Sequence, residues 1–416
     1  MTRQIKLLTL SLLLCCLEGI SSEKDEFFKP SRDTSVSYAE DKVYPQGRIF
    51  PYSGFSPCNS AGEKKFTMLG PVYGKQDKLL EMAEKTHKKA IYFIKGVYKG
   101  EKVSQKTLEL KDIDFNEIVE SIRQQVMAVA DNKNIAWWYL GPEELRCWRK
   151  NEMKYLQVAA NAIREADPLK RPVWMYDPGH RSAKPLGETV KFLDISGKGM
   201  YTNYSGFKDS RIFCLWTIEQ EVEAIKNTNP QAMPIAVPEM FQEPGPEEIQ
   251  MVSAWVRHDV YSSLIAGAKG IVVFSFAHRK NFKSHEIYFQ EYSRIADELC
   301  GELNLGQVFL FGEKRNDISL KITEGPEKVS FLCKGAGMKD AINFPSVNIF
   351  NAAYKNERYL FLVSSANLPV SVEIKGMPQQ CVIEDVFSKK KIVLGGEPCL
   401  KLVFNPLEAK CIKIKP

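Results

Sequence analysis

The chain lacks the usual marks of metal, nucleotide and triad chemistry. Its ten cysteines form no Cys-x-x-Cys pair and its five histidines are scattered, so zinc-site spacing is missing. There is no glycine-rich phosphate loop and no Ser/His/Asp elbow. No cofactor and no metal are expected. Beyond the first 22 residues no apolar run approaches the roughly 20 residues of a membrane-spanning helix. The charge of +6 is mild, and no stripe of Lys and Arg accompanies it, which argues against nucleic acid as a partner. Internal repeats and low-complexity tracts are absent too.

What is present begins with a leader. Arg3 and Lys6 precede an apolar run from Leu7 to Leu17, and Gly19, Ser21 and Ser22 offer a cleavage site. Residues 1–22 therefore read as a signal peptide, and the mature protein as secreted or periplasmic. Cys15 and Cys16 raise a lipoprotein anchor as an alternative. Without Arg3, Lys6 and Glu18, 55 positive and 50 negative charges remain, a balance compatible with an anionic substrate. Eight cysteines lie outside the leader. Most read as isolated buried thiols, and a bridge among Cys381, Cys399 and Cys411 stays open.

Residues 23–46 are polar and aperiodic and read as an arm. Strand-like and helix-like runs then alternate. Eight strands are expected: Arg48–Tyr52, Phe66–Gly70, Ala90–Ile94, Ile135–Leu140, Pro172–Tyr176, Ile195–Tyr201, Met233–Val237 and Gly270–Phe276. Helices are expected at Lys75–Lys89, Asp114–Asp131, Leu145–Ala166, Glu219–Asn227, Pro246–Gly267 and Ile287–Leu303. The class is α/β, a (β/α)8 TIM barrel over 47–305. From residue 306 to 416 short alternating runs with polar turns predict an all-β sandwich.

The chemistry is expected at the carboxyl ends of the strands. The fourth, Trp137-Trp138-Tyr139-Leu140, stops at Gly141-Pro142, and Glu143 and Glu144 follow. The seventh, Met233 to Val237, runs into Pro238-Glu239. Glu143 and Glu144 can also be read as first-turn caps of a helix starting at Leu145, and Glu239 as the buried partner of an arginine. The fifth strand leads to Tyr176-Asp177-Pro178-Gly179-His180-Arg181. Asp177 is a rival proton donor or a turn residue, and Arg181 can hold an acidic group or a salt bridge.

In order and texture this arrangement resembles the retaining TIM-barrel glycoside hydrolases with glutamates after strands four and seven (clan A), which often carry a trailing β-sandwich. The resemblance covers most of residues 48–416. It implies cleavage of a glycosidic bond in a poly- or oligosaccharide, with Glu143 as acid/base and Glu239 as nucleophile. That clan usually has Asn before the first glutamate, where this chain has Pro142. The chemistry needs one protonated and one ionised carboxyl group. The resemblance also implies that Tyr201 donates a hydrogen bond to the nucleophile. Tyr176, His180, Arg181, Tyr201, Asn203, His278 and Arg279 complete the candidate substrate-binding set. Two alternatives stay open: a non-catalytic carbohydrate-binding barrel, and an inverting or Asp177-dependent glycosidase on an anionic, sulfated glycan.

Overall fold

The computed structural model describes residues 26–31, 49–56, 65–379, 381–392 and 399–416. The leader, most of the arm and Cys58 lie outside the described residues. The chain divides into two units. One holds residues 37–310 with 328–345, and the other residues 1–36, 311–327 and 346–416.

The larger unit is an eight-stranded parallel barrel. Its strands are β1 Tyr52–Gly54, β2 Met68–Leu69, β3 Lys89–Lys95, β4 Ile135–Gly141, β5 Val173–Pro178, β6 Ile195–Met200, β7 Met233–Pro238 and β8 Ile271–Val273. They pair in the order β1-β8-β7-β6-β5-β4-β3-β2. Thr67 N–H donates to the Tyr52 carbonyl at 3.0 Å and Ser56 N–H to the Pro71 carbonyl at 2.9 Å, which brings β1 back to β2. Each strand from β2 onward is followed by a helix: α1 Gln76–Thr86, α2 Phe115–Met127, α3 Lys150–Ala166, α4 Ala183–Val190, α5 Phe213–Thr228, α6 Val252–Ala266 and α7 His285–Cys300.

β4 shows why the sheet holds. All seven residues are buried, as expected for a strand covered on both faces. Trp137 and Tyr139 point inward and meet Trp174 of β5, at ring distances of 6.3 and 4.6 Å. Trp138 points outward, donates to Asp167 at 2.8 Å and lies under Arg171 at 4.6 Å. Outward Trp138 and Leu140 pack with Ile118, Ile122, Tyr155 and Leu156 of α2 and α3. Fully burying each of these apolar side chains is worth about 1.5–3 kcal/mol. On β6 the inward position beside the tryptophan must be small. A Cβ on Gly197 would stand 2.8 Å from Trp174 Nε1 and 2.9 Å from the Tyr176 Cβ.

The helices differ from the sequence reading at several points. α3 starts at Lys150 rather than Leu145, because the Glu152 carboxylate bonds back to Arg146 N–H at 2.5 Å and Nε at 2.6 Å and holds the preceding loop. α5 starts at Phe213 rather than Glu219. Its first six residues are all buried, which hides the helical period. α4 had no expected counterpart, and its lone Pro185 sits in the first turn, where no backbone donor is lost.

The smaller unit is antiparallel. One sheet orders Glu313–Lys314, Val347–Tyr354, Glu357–Ser364, Ala409–Lys415, Val382–Asp385 and Lys390–Ile392. A second holds Ser319–Glu324, Val370–Lys375 and Cys399–Phe404. Phe27 and Phe28 of the arm are buried on it, with Arg358 donating to the Phe27 carbonyl at 2.7 Å. The hairpin Lys328–Phe331/Ile342–Pro345, expected in the sandwich, groups instead with the barrel. There Phe331 and Cys333 pack on Phe213 and Trp216. Among the described residues no disulfide joins Cys381, Cys399 and Cys411 to one another.

Candidate active site

The parity of each strand decides which side chains reach the mouth of the barrel. On β5, Trp174 and Tyr176 face inward, so Asp177 faces the helix layer. Its carboxylate pairs with Arg181 and accepts from Thr189 of α4 at 2.8 Å. Asp177 is fully buried there, beside Lys198, whose Nζ donates to the Arg181 carbonyl at 2.5 Å. Burial pushes the Asp177 carboxyl up, against the pull of Arg181. Burial lowers Lys198 to about 7, offset in part by Glu221 and Asp177. Asp177 and Arg181 are thus committed to each other behind the sheet. Arg181 also donates to the Glu144 carbonyl at 3.1 Å, which ties the end of β4 to the end of β5. His180 is exposed.

Glu143 and Glu144 are not helix caps. With α3 starting at Lys150 they lie in the loop above β4, clear of its first turn. Glu143 accepts from the Tyr73 hydroxyl at 2.9 Å. Glu144 has a left-handed backbone, φ 59°. Burial raises its carboxyl, the adjacent Glu143 raises it further, and Arg181 opposes both. Lys95, at the end of β3 beside β4, is another charged group at this rim. Burial lowers its ammonium and Glu143 opposes that shift.

Glu239 follows β7 and is buried, with 4% of its surface exposed. One carboxylate oxygen accepts from Asn203 N–H at 2.6 Å, the other from Tyr204 N–H at 3.2 Å. Arg211 lies close but is not its ion-pair partner. It is bonded to Asp259, with Nε to Oδ1 at 3.0 Å, and to the Asn203 side chain at 2.8 Å. Burial is the largest influence on Glu239 and pushes it up to about 7. The two amides and Arg211 pull the other way. Tyr292 donates to the Glu239 carbonyl at 2.9 Å and fixes the strand end from α7.

An aromatic wall joins the two carboxylate positions. Tyr73, Phe55, Tyr139, Tyr176, Phe274, Tyr201 and Phe241 follow one another at ring distances of 5.2–6.4 Å. Burial raises the Tyr201 phenol, the neighbouring Tyr176 hydroxyl opposes that shift, and Glu144 and Glu143 add to it, which places this tyrosine in the field of the β4 pair. Tyr201 does not donate to Glu239. Its hydroxyl is buried beside that of Tyr176, with no hydrogen bond within 3.5 Å among the described residues, while both Glu239 oxygens are held by backbone amides. Asn203 serves through its backbone, and its side chain binds Arg211 and, at 3.5 Å, Tyr288. His278 stacks on His285 at 3.8 Å. Arg279 lies over Phe241 at 5.0 Å and Phe274 at 5.7 Å.

The structure therefore brings Glu143, Glu144, Tyr176, Tyr201, Glu239 and Arg279 to one end of the barrel and sets Asp177 behind it. Sequence reasoning missed Tyr73, Lys95, Phe241 and Phe274. Lys95 carried a signal, being a lone cation at the end of an apolar strand. Among the described residues no group of three or more His, Cys, Asp or Glu side chains is arranged to hold a metal ion. No described helix is long and apolar enough to cross a membrane.

No family profile and no curated protein matches the sequence. Solved structures do match the fold. An α-amylase from Geobacillus thermoleovorans complexed with acarbose superposes with a TM-score of 0.51 at 9% identity, covering 89% of this chain and 98% of that one. An Anoxybacillus α-amylase, described as giving insight into a new glycosyl hydrolase subclass, has a TM-score of 0.51 at 10% identity. It covers 86% of this chain and 88% of that one. AmyP in complex with maltose gives 0.50 at 11% identity, with 87% and 85% covered. At these identities the likeness establishes a shared fold, a TIM barrel followed by a β-sandwich.

Proposed function

We propose that the protein is an exported glycoside hydrolase that cleaves O-glycosidic bonds in a poly- or oligosaccharide with two carboxyl groups. The observation that carries this reading is Glu239, a buried carboxylate at the end of β7 held by two backbone amides and by no cation. A carboxylate in a packing role would be paired, as Asp177 and Asp259 are. An unpaired one at the mouth of a barrel is placed to meet developing positive charge on a sugar ring. Glu143, on the same mouth, gives the leaving oxygen its proton and then activates water. Glu144, partly buried and raised, is the second choice for that role. The aromatic wall supplies apolar faces on which a sugar ring packs.

The α-amylase complexed with acarbose and AmyP in complex with maltose share the fold, and those bound sugars support carbohydrate as the ligand class. The leader-like residues 1–22 support export. A screen of plant and algal polysaccharides for new reducing ends tests the activity. Proton NMR of the first product anomer tests retention, which the resemblance implies. Absence of reducing ends from every glycan, with binding intact, would point to a non-catalytic barrel.

A further inference from the structure

The mouth holds a cation that no carboxylate answers. Around the barrel Arg146, Arg164, Arg171, Arg181, Arg211 and Arg257 each sit in an ion pair. Arg279, in the loop after β8, has none among the described residues. Its polar contact is one N–H donated to Ser275 Oγ at 3.2 Å. The rest of the group lies against the rings of Phe241 and Phe274. Tyr201 packs on the same two rings, at 5.2 and 5.4 Å, and its buried hydroxyl interacts with that of Tyr176 but makes no hydrogen bond within 3.5 Å among the described residues. The exposed Arg279 guanidinium and the buried Tyr201 hydroxyl therefore share one aromatic corner of the mouth. Water serves the guanidinium in the free protein, and the acceptors of an anionic ligand can take its place.

A guanidinium with free N–H groups on one edge matches a planar or trigonal anion, and the flanking rings lower the local dielectric and strengthen that contact. We propose that Arg279 and Tyr201 form a subsite for an acidic substituent on the sugar, a carboxylate or a sulfate ester. The substrate class is then an anionic glycan. This rests on the mouth being a carbohydrate site. It does not depend on Asp177, which is committed to Arg181. Arg279 donates its N–H groups to two oxygens of the anion, Tyr201 donates its O–H to the same group, and the sugar ring lies along Phe241 and Phe274 towards Glu239.

Affinity electrophoresis tests the subsite without needing turnover. The full-length protein carrying Glu239→Gln would be run through gels containing polygalacturonate, alginate, sulfated carrageenan or fully methyl-esterified pectin. Retardation by a carboxylate glycan or by carrageenan is expected, with none by the esterified pectin. Retardation by the carboxylate glycans alone assigns a uronate, and by carrageenan alone a sulfate. Adding Arg279→Met should weaken retardation about tenfold or more, Arg279→Lys less, and Tyr201→Phe a few-fold. Lys401→Gln on the sandwich controls for general positive charge and should change nothing. Equal retardation by the esterified pectin, no retardation by any acidic glycan, or an unchanged Arg279→Lys and Tyr201→Phe pair would overturn the subsite. Binding of acidic glycans without release of reducing ends would sink the hydrolase and leave the subsite. Hydrolysis of a neutral glycan, indifferent to Arg279→Met, would do the reverse.

Discussion

Asn203 holds Glu239 through its backbone, and its side chain is in turn held by Arg211. The amide donates to the carboxylate at 2.6 Å, while Arg211 Nη1 donates to Asn203 Oδ1 at 2.8 Å. Arg211 is anchored by Asp259, which also takes the imidazole of His258 at 3.0 Å. The carboxylate on β7 is therefore positioned by the loop after β6 and by α6.

Asn203→Ala cuts that link and keeps the amide. The expected result is a fall in kcat of roughly tenfold to a hundredfold, because the carboxylate loses its fixed position. KM should move little and the thermal midpoint by only a few degrees. Steady-state kinetics with thermal unfolding checks this. A fall in the midpoint with unchanged kcat would show a purely structural residue.

The raised Glu239 has a stability cost with a defined pH window. Its folded value is about 7, against 4.5 for the free group. Between those values the folded protein binds a proton that the unfolded chain has lost. Stability from this group is therefore full below about 4.5 and declines as pH rises to about 7. The whole decline is on the order of 3 kcal/mol. Glu239→Gln should remove that share of the pH slope, as read by urea unfolding at pH 5 and pH 8. A variant whose pH dependence parallels the wild type would show that Glu239 is not raised.

For turnover the same shift sets the opposite preference. A nucleophilic Glu239 must be ionised, so kcat should climb as pH rises through about 7. A rate that is flat across pH 6 to 8 would remove Glu239 from that role.

Asp177→Asn is expected to harm the fold and spare the chemistry. It leaves Arg181 buried without a counter-charge, a loss of about 3–5 kcal/mol. Protein that folds at low temperature should keep kcat within a few-fold. Loss of kcat with an unchanged midpoint would restore Asp177 as the proton donor.

Glu143→Gln should act through the leaving group. Natural glycans need the proton, and activated aryl glycosides of the same sugar need it less. The ratio of the two rates should shift by about a hundredfold or more towards the aryl substrate. An equal loss on both would leave the acid role to Glu144.

Much of this was legible in the chain. The apolar run Ile135–Leu140 ending at Gly141-Pro142, with Glu143 after it, read as a buried strand meeting an acidic mouth, and it is β4. Asp177 was misplaced as a candidate for want of one step. Trp174 and Tyr176 are inward aromatics, and period-two alternation sends the next residue outward. Glu143 and Glu144 are not caps because Arg146 and Glu152 form a local side-chain clamp that holds the loop open and that helix propensity does not see. α5 was truncated because Phe213 to Ile218 are buried on every side and show no amphipathic face. The hairpin at residues 328–345 carries the same alternation as a sandwich strand, and only its packing on Phe213 and Trp216 assigns it to the barrel.

The most direct measurement compares reducing-end release by the wild type and by Glu239→Gln on the one polysaccharide that the wild type cleaves. A two-carboxylate mouth predicts a rate at least about a thousandfold lower, with the glycan still bound. Turnover by Glu239→Gln within a few-fold of the wild type would contradict it.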